Sequence, residues 1–327
     1  MKDQIKTANK FLLNRYNKIK PSIKEQAFRL TWVNFIRKKV IKIYPNSSIN
    51  LFGSFFTDLY VHSSDIDISL KIDTTDQNLV LKNIKHELYK TGLFTFINHL
   101  SHAKIPILKF TDKKYGLKFD VSVNNNGGIL AAQYIKKKIE EDENIKILAI
   151  LFKHFIYNRK LGDASIGGLN SYSQLLMIMN YLELHPFYSR NDKNISVVFF
   201  DFIQYYGFNF KYKNVQIDTA STIYKTNTTN RLSIIDPTDP TIDVGSCCKN
   251  MDKVIETLQN FYRLILYHFE KSSIEELFEE VFYFNSRELE KRQYIVDNYK
   301  ARIILVKKKS KKLASLRDVN LFKNSKS

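Results

Sequence analysis

Three aspartates stand where they could act together. Asp65 and Asp67 lie two residues apart in the run Ser-Asp-Ile-Asp-Ile-Ser-Leu, and Asp120 lies in Leu-Lys-Phe-Asp-Val-Ser-Val. Side chains alternate between the two faces of a β-strand, so Asp65 and Asp67 leave one face while the isoleucines beside them enter the core. The apolar residues around Asp120 alternate in the same way, which predicts a second strand. If the two strands are neighbours, the three carboxylates converge.

Clustered carboxylates repel one another unless cations neutralise them. Mg²⁺ suits oxygen ligands of this kind, with Mn²⁺ as the alternative, and two such ions can activate a hydroxyl and stabilise a leaving phosphate. Gly53-Ser54 follows a predicted strand at 49–52; the glycine lets a backbone N–H approach a phosphate, and the serine adds a hydroxyl. Taken singly, these pieces would indicate a solvated acidic pair and a plain turn. Their order predicts a two-metal nucleotidyl-transfer site.

Four motifs in order resemble a known family. Residues 51–55, Leu-Phe-Gly-Ser-Phe, and 64–67, Ser-Asp-Ile-Asp, are similar to the signature of the polymerase-β-type nucleotidyltransferases. The stretches 167–173 and 235–245 resemble the noncanonical poly(A) polymerases and terminal uridylyltransferases, most closely those of the TRAMP-complex type. The resemblance covers roughly residues 22–267, and the ordered set is far more specific than any one motif. It implies template-independent addition of AMP from ATP to RNA 3′ ends.

The resemblance also implies roles for single residues of the acidic segment. Asp65 and Asp67 would hold both Mg²⁺ ions. Asp120 would bind the catalytic ion and act as base toward the 3′-hydroxyl. Gly53 and Ser54 would hold the triphosphate.

Further residues would form the nucleotide pocket. By resemblance, Lys153 meets the β- and γ-phosphates, Ser171 is a phosphate ligand, Tyr172 stacks on the base, and Asp236 is the acidic residue that starts the nucleotide-recognition motif. Residues 168–171 precede an apolar helix, whose N-terminal amides suit phosphate oxygens. Without the motifs, Lys153 would be interpreted as a surface lysine of an amphipathic helix and Tyr172 as a core aromatic.

The chain departs from the family at several positions. Six residues after Asp236, uridylyltransferases tend to have histidine and adenylyl-adding relatives asparagine, but this chain has Ile242, which can neither donate nor accept a hydrogen bond. Ser246 replaces the family's arginine. The missing histidine argues against strict uridine choice, while ATP preference rests on overall similarity and cellular abundance. At 127–128 the chain has Gly-Gly where relatives commonly show Asn-Gly, so either Asn126 takes over the ribose contact by a shift or that contact is missing.

The coarse pattern predicts an α+β fold in two parts. A polymerase-β-like catalytic domain with a mixed sheet is expected at 22–138, and a mostly helical central domain at 1–21 and 139–299, with the active site in the cleft between them. A basic tail follows at 300–327. Predicted helices span 22–43, 79–89, 144–159, 171–184, 196–206, 251–269, 274–284 and 286–299. Predicted strands span 49–52, 105–110 and 117–123, and the last two are expected to pair through a polar turn that contains Gly116.

Composition points to a polyanionic partner. The 327 residues carry a formal net charge of +18, and from Ala301 onward there are nine Lys or Arg and one Asp. The remaining body stays basic, which predicts phosphate-based RNA binding without sequence readout. Lys307 to Lys309 form a nuclear-localisation signal, an RNA-contacting patch or a merely solvating tail. The adjacent Cys247 and Cys248 have no metal-ligand spacing and indicate a reducing compartment.

We expect a soluble intracellular protein, because no uncharged apolar run is long enough to span a bilayer. The resemblance implies a nuclear location, with the cytoplasm as the alternative. It also implies RNA 3′ ends as substrate and, as partners, a separate zinc-knuckle RNA-binding protein and an RNA helicase. Three rival functions stay open: a terminal uridylyltransferase, a nucleotidyltransferase acting on a small molecule, and a noncatalytic RNA-binding scaffold, which would have no need for clustered carboxylates.

Overall fold

The computed structural model describes residues 2–185, 194–218, 221–224, 232–286 and 289–297. The tail at 300–327, including Lys307 to Lys309, lies outside the described residues. The helices are α1 (Lys2–Ile19), α2 (Ile23–Ile43), α3 (Gly53–Phe56), α4 (Gln77–Lys90), α5 (Asn126–Glu141), α6 (Glu143–Asn158), α7 (Ser171–Leu184), α8 (Ile195–Gln204), α9 (Met251–Glu270) and α10 (Ile274–Val281). The strands are β1 (Ser48–Phe52), β2 (Ile66–Lys71), β3 (Phe94–Leu100), β4 (Ile107–Asp112), β5 (Lys118–Val123), β6 (Val215–Asp218), β7 (Ser221–Tyr224), β8 (Ile234–Asp236) and β9 (Asp239–Asp243).

The first sheet places the acidic strands side by side. Its five strands lie in the order β1-β2-β5-β4-β3, and β2 and β5 run parallel while the other pairs are antiparallel. Apolar residues of α2 and α4 pack on one face, with Ile36, Ile66 and Phe119 fully buried. Because strand side chains alternate, this burial turns the residues at the intervening positions toward the opposite face. The α+β class and the mixed sheet are as predicted.

The start of α2 is fixed by a capping box. The Ser22 hydroxyl accepts a hydrogen bond from the Glu25 amide, and the Glu25 carboxylate accepts one from the Ser22 amide. Glu25 also forms an ion pair with Arg292, which belongs to a helical segment within 289–297. Ile295 of that segment is buried in the core of the first sheet. The chain therefore returns to the first sheet after the helical part.

A second core joins the helices that follow the first sheet with the N-terminal helix. Phe11 and Leu12 of α1 are buried with Phe155 of α6, Phe199 of α8 and Phe278 of α10. The amphipathic pattern of α9 contributes a further buried stripe of Val254, Leu258, Phe261 and Ile265. None of the described helices is long and apolar enough to cross a membrane.

Two features differ from the sequence-based expectation. Strand β3 was not predicted; its alternation is broken by a bulge, with a positive φ at the exposed Phe96. No strand was predicted in the mostly helical part after residue 138 either, but strands β7-β6-β8-β9 form a four-stranded sheet there. These strands are only three to five residues long, too short to show a clear period of two.

Candidate active site

Strand register brings the acidic residues together. Asp67 on β2 is paired with Asp120 on β5, and Asp65 directly precedes β2. Paired residues of adjacent strands lie side by side on one face of the sheet. The three carboxylates are close enough to affect one another's titration: burial and the neighbouring Asp120 and Asp65 carboxylates raise the pKa of Asp67 to about 7. We call the surface formed by Asp65, Asp67, Asp120 and Gly53 the acidic wall.

Gly53 makes room for the Asp67 carboxylate. Its φ is +63°, a left-handed conformation that favours glycine, and a Cβ built on it would lie 2.7 Å from Asp67 Cγ. The pairing of Phe52 with Asp67 across β1 and β2 fixes this close approach. Any side chain at Gly53 would therefore push the carboxylate out of place. The glycine predicted to approach a phosphate is required first of all by its acidic neighbour.

A lysine that was not among the predicted site residues faces Asp120. Lys109 on β4 is the cross-strand partner of Asp120, and its Nζ forms an ion pair and hydrogen bond with Asp120 Oδ2. Burial raises the pKa of Asp120, while Lys109 opposes that shift. The signal lay in the sequence: the predicted pairing of 105–110 with 117–123, set in the register of Phe110 opposite Phe119, places Lys109 opposite Asp120.

The donor chemistry of the acidic wall fits divalent cations with hard oxygen ligands. No group of three or more His, Cys, Asp or Glu side chains has the arrangement of a metal site in the described part of the chain. Asp67 lies against Gly53, which directly follows β1, and Asp120 contacts Lys109 on β4. Asp65, Asp67 and Asp120 would supply the oxygen ligands for such a cation.

An arginine of α2 positions the loop that carries Asp65. The guanidinium of the buried Arg29 donates hydrogen bonds to the carbonyl oxygens of Ser64 at 2.9 Å and His62 at 2.8 Å. The Ser64 hydroxyl accepts a hydrogen bond from the Val61 amide at 3.0 Å. Two carbonyls held by one planar guanidinium fix the direction in which the chain enters β2. Arg29 was not predicted, since nothing in its helix marks it as different from a surface arginine.

Three residues of the acidic wall, Gly53, Asp65 and Asp67, line a cleft of about 1140 Å³ whose other side is helical, whereas Asp120 lies behind Lys109 and outside that lining. Lys153 of α6 lines this cleft with Asp65, Asp67, Gly53 and Ser54. Burial lowers the pKa of Lys153 to about 8, while the charges of Asp67 and Asp65 raise it. At neutral pH the Lys153 amine therefore stays mostly protonated, and its positive charge interacts with Asp67 and Asp65. Tyr157, one turn later on α6, lines the cleft as well.

The N-terminus of α7 reaches the cleft at Ser171. The helix is capped by Asn170, whose side chain accepts a hydrogen bond from the Ser173 amide at 2.8 Å, so the Ser171 hydroxyl stays exposed in the cleft. The preceding turn is tight, because a Cβ on Gly168 would lie 2.8 Å from the backbone N of Asp163. We call the surface formed by Lys153, Ser171 and Tyr172 the helical wall.

Tyr172 lines the cleft, but Asp236 does not. Asp236 is buried behind the tyrosine, and its Oδ1 accepts hydrogen bonds from the Tyr172 hydroxyl at 3.2 Å and from the Thr238 amide and hydroxyl at 2.8 and 2.7 Å. The structure therefore joins the predicted base-stacking residue to the predicted acidic residue of the nucleotide motif. In this position Asp236 holds the Tyr172 side chain and does not itself reach the cleft. Asn126 is exposed and lies outside the lining of the cleft, whereas Gly128 lines it.

A family model describes the part of the chain that holds the acidic wall. Residues 9–137 match the poly(A) RNA polymerase, mitochondrial-like, central palm domain. Poly(A) RNA polymerase protein 1 of Saccharomyces cerevisiae is 27% identical over 267 residues, which cover 76% of this chain and 41% of that protein. Cid14 of Schizosaccharomyces pombe is 29% identical over 271 residues, with 78% and 40% covered. The chain is therefore similar to poly(A) RNA polymerases over most of its length.

The chain spans about two fifths of the length of these curated relatives. Another relative, Trf4-2 of Drosophila melanogaster, is described as inactive; it is 29% identical over 249 residues, covering 70% of this chain and 61% of that protein.

Solved structures confirm the fold. The polymerase core of TRAMP, an RNA surveillance complex, superposes with a TM-score of 0.71 at 24% identity and covers 88% of this chain and 92% of that chain. The Cid1 terminal uridylyl transferase gives a TM-score of 0.73 at 22% identity, with 84% and 98% covered. Both structures share the arrangement of a sheet-bearing part and a helical part found in this chain.

Proposed function

We propose that this chain is a template-independent RNA 3′-end nucleotidyltransferase that transfers AMP from ATP. One observation carries the proposal: Asp65 and Asp67 line a cleft whose opposite wall presents Lys153, Ser171 and Tyr172, and Asp120 is the strand partner of Asp67. A triphosphate needs a cation and hydroxyl donors on one side and metal-binding carboxylates on the other. Both sides are present in one cleft.

Asp65, Asp67 and Asp120 would hold Mg²⁺, and Mn²⁺ in its place. Bound there, the metal would supply charge neutralisation at the α-phosphate and favour the ionised form of the attacking hydroxyl. Asp120 takes the proton of the RNA 3′-hydroxyl, since its raised pKa suits a base. The 3′-oxygen forms the new bond to the α-phosphorus, the bond to the β-phosphate oxygen breaks, and pyrophosphate leaves.

The helical wall would bind and orient the nucleotide. Lys153 contacts the β- and γ-phosphates as a cation, and the Ser171 hydroxyl donates to an outer phosphate oxygen. The ring of Tyr172 stacks on the base, and its hydroxyl is held by Asp236. Gly53 and Ser54 contact the triphosphate from the acidic side. Lys153, Ser171 and Tyr172 bind or orient the nucleotide, so the loss of any of them should affect KM more than the loss of an acid does.

The proposed choice of ATP follows from similarity to relatives and not from a hydrogen bond to the base. Ile242 lies on β9 and offers no hydrogen bond, so no side-chain readout is available at that position. Stacking on Tyr172 is tolerant of base identity, because every base has a π-face. The curated relatives are named poly(A) polymerases, which supports ATP over UTP.

The proposed substrate is the 3′ end of RNA, bound through a basic surface. The net charge of +18 supports contact with phosphates. By similarity to the TRAMP polymerase core, we propose action in nuclear RNA surveillance together with a zinc-knuckle RNA-binding protein and an RNA helicase.

The direct test is extension of an end-labelled oligoadenylate RNA by purified protein with Mg²⁺ and each of the four ribonucleotides in turn. We expect laddering that is strongest with ATP. Preferential use of UTP would assign the chain to the uridylyl branch. An absence of extension, even with a zinc-knuckle partner added, would contradict the proposal and favour the small-molecule or scaffold alternatives.

A further inference from the structure

The lysine that pairs with Asp120 has no assigned role in nucleotide transfer. Lys109 lies on β4 directly opposite Asp120, and its ammonium contacts Oδ2 of that carboxylate. Its side chain is 44% exposed to the cleft, whereas that of Asp120 is 17% exposed. The lysine therefore approaches the acid from the open side, the same side from which a cation in solution must arrive.

The acidic wall has a second feature that belongs with this contact. Its two strand-paired carboxylates have different neighbours, because Asp67 lies against Gly53 and Asp120 contacts Lys109. Three adjacent carboxylates require positive charge close by. Lys109 supplies one such charge at contact distance from Asp120.

We propose that Lys109 is a built-in counter-cation of the acidic wall, and that it leaves Asp120 when a divalent cation binds there. The proposal rests on the metal-binding role of Asp120 given above. Lys109 competes with the metal for one oxygen, so it weakens metal binding, and it offsets the repulsion among the carboxylates whenever no metal is bound. The contact lies on a flexible four-carbon side chain, which can swing into the cleft without moving β4.

A neighbouring lysine provides a matched control. Lys118 lies on β5 two residues before Asp120, so it extends from the same face of the strand, and it also lines the cleft. Among the described residues its ammonium has no hydrogen-bond or ion-pair partner. Lys118→Ala therefore removes the same charge from the same region without removing a contact to an acid.

The experiment is titration of the purified protein with Mn²⁺, and then Mg²⁺, without nucleotide or RNA, by calorimetry and by electron paramagnetic resonance of free Mn²⁺. We expect Lys109→Ala to bind Mn²⁺ roughly tenfold more tightly than wild type, because a unit charge at contact distance is removed. Lys118→Ala should change the Kd by about twofold at most, since exposed charges are screened. The rise in melting temperature on adding Mn²⁺ should be largest for Lys109→Ala.

A Kd for Lys109→Ala that equals or exceeds that of wild type would overturn the proposal, since Lys109 would then either orient Asp120 or have no effect on metal binding. Lys109→Gln gives the same test, with the charge removed and a polar chain kept, should the alanine variant fail to fold. Asp120→Asn should lose tight Mn²⁺ binding. If it binds as wild type does, the metal role of Asp120 fails as well; if only the Lys109 variants behave as wild type, the inference fails and the proposed function stands.

Discussion

The acidic wall is fixed by strand register, whereas the helical wall is fixed by hydrogen bonds between distant segments. Asp67 and Asp120 face each other because β2 and β5 pair residue by residue. Tyr172 is held by Asp236, which lies 64 residues away in a separate sheet. A local motif is therefore enough to indicate the first wall. The second depends on contacts that only the folded chain brings together, and the two walls should respond differently to substitution.

The largest effect is expected on the acidic wall. Asp120→Asn should lower the rate of AMP transfer by roughly 10³-fold, because a metal ligand and the proton acceptor are lost together. Single-turnover extension measures this. Asp163→Asn is the control, since Asp163 also lines the cleft but accepts its hydrogen bonds from Ser165. An equal loss in both variants would show that the cleft responds to any missing charge.

Gly53→Ala should come next, with a rate about 10²-fold below wild type, because the added Cβ displaces the Asp67 carboxylate. The left-handed φ adds a folding cost of about 1–2 kcal/mol. Gly92→Ala separates the two causes, since Gly92 has a φ of +67° but open space around its Cβ. It should lose similar stability in urea denaturation and keep its activity. Full activity of Gly53→Ala would contradict the close approach.

On the helical wall the effect should be smaller and should appear in KM. Tyr172→Phe and Asp236→Asn should each raise the KM for ATP by roughly tenfold or less with little change in kcat. The double variant should have a KM close to that of either single variant, because the two residues share one hydrogen bond. Asp239→Asn is the control: Asp239 binds Thr241 as Asp236 binds Thr238, without touching the tyrosine. Additive effects of the first two substitutions on KM would contradict the claim that Tyr172 and Asp236 act through one shared hydrogen bond.

The smallest effect concerns the packing behind Lys153. Burial lowers the pKa of the neighbouring His154 to about 4, from an ordinary value near 6.5. The folded state therefore binds fewer protons than the unfolded state, and stability is lost as pH falls from about 6.5 toward 4. Between pH 7 and pH 5 this amounts to about 2 kcal/mol in the free energy of unfolding. His154→Gln should lose less over that range, and an unchanged slope in urea titrations would contradict the assignment.

The sequence indicated most of the acidic wall for physical reasons. A period of two around Asp67 and Asp120 is a local property, and a helix such as α7 was predicted with its observed bounds, Ser171–Leu184. Lys109 could have been found from the predicted hairpin once its register was set. The short strands of the second sheet and the burial of Asp236 could not, because they depend on pairing between segments far apart in the chain.

The central claim is that the acidic wall performs the AMP transfer, while other groups bind the nucleotide and the RNA. Its most direct test is single-turnover AMP transfer by Asp67→Asn, measured beside RNA binding by gel shift and beside Asp73→Asn, whose exposed acid lies just beyond β2. The account predicts that Asp67→Asn binds RNA and melts as wild type does but transfers no detectable AMP, while Asp73→Asn stays active. Transfer by Asp67→Asn within tenfold of the wild-type rate would contradict it.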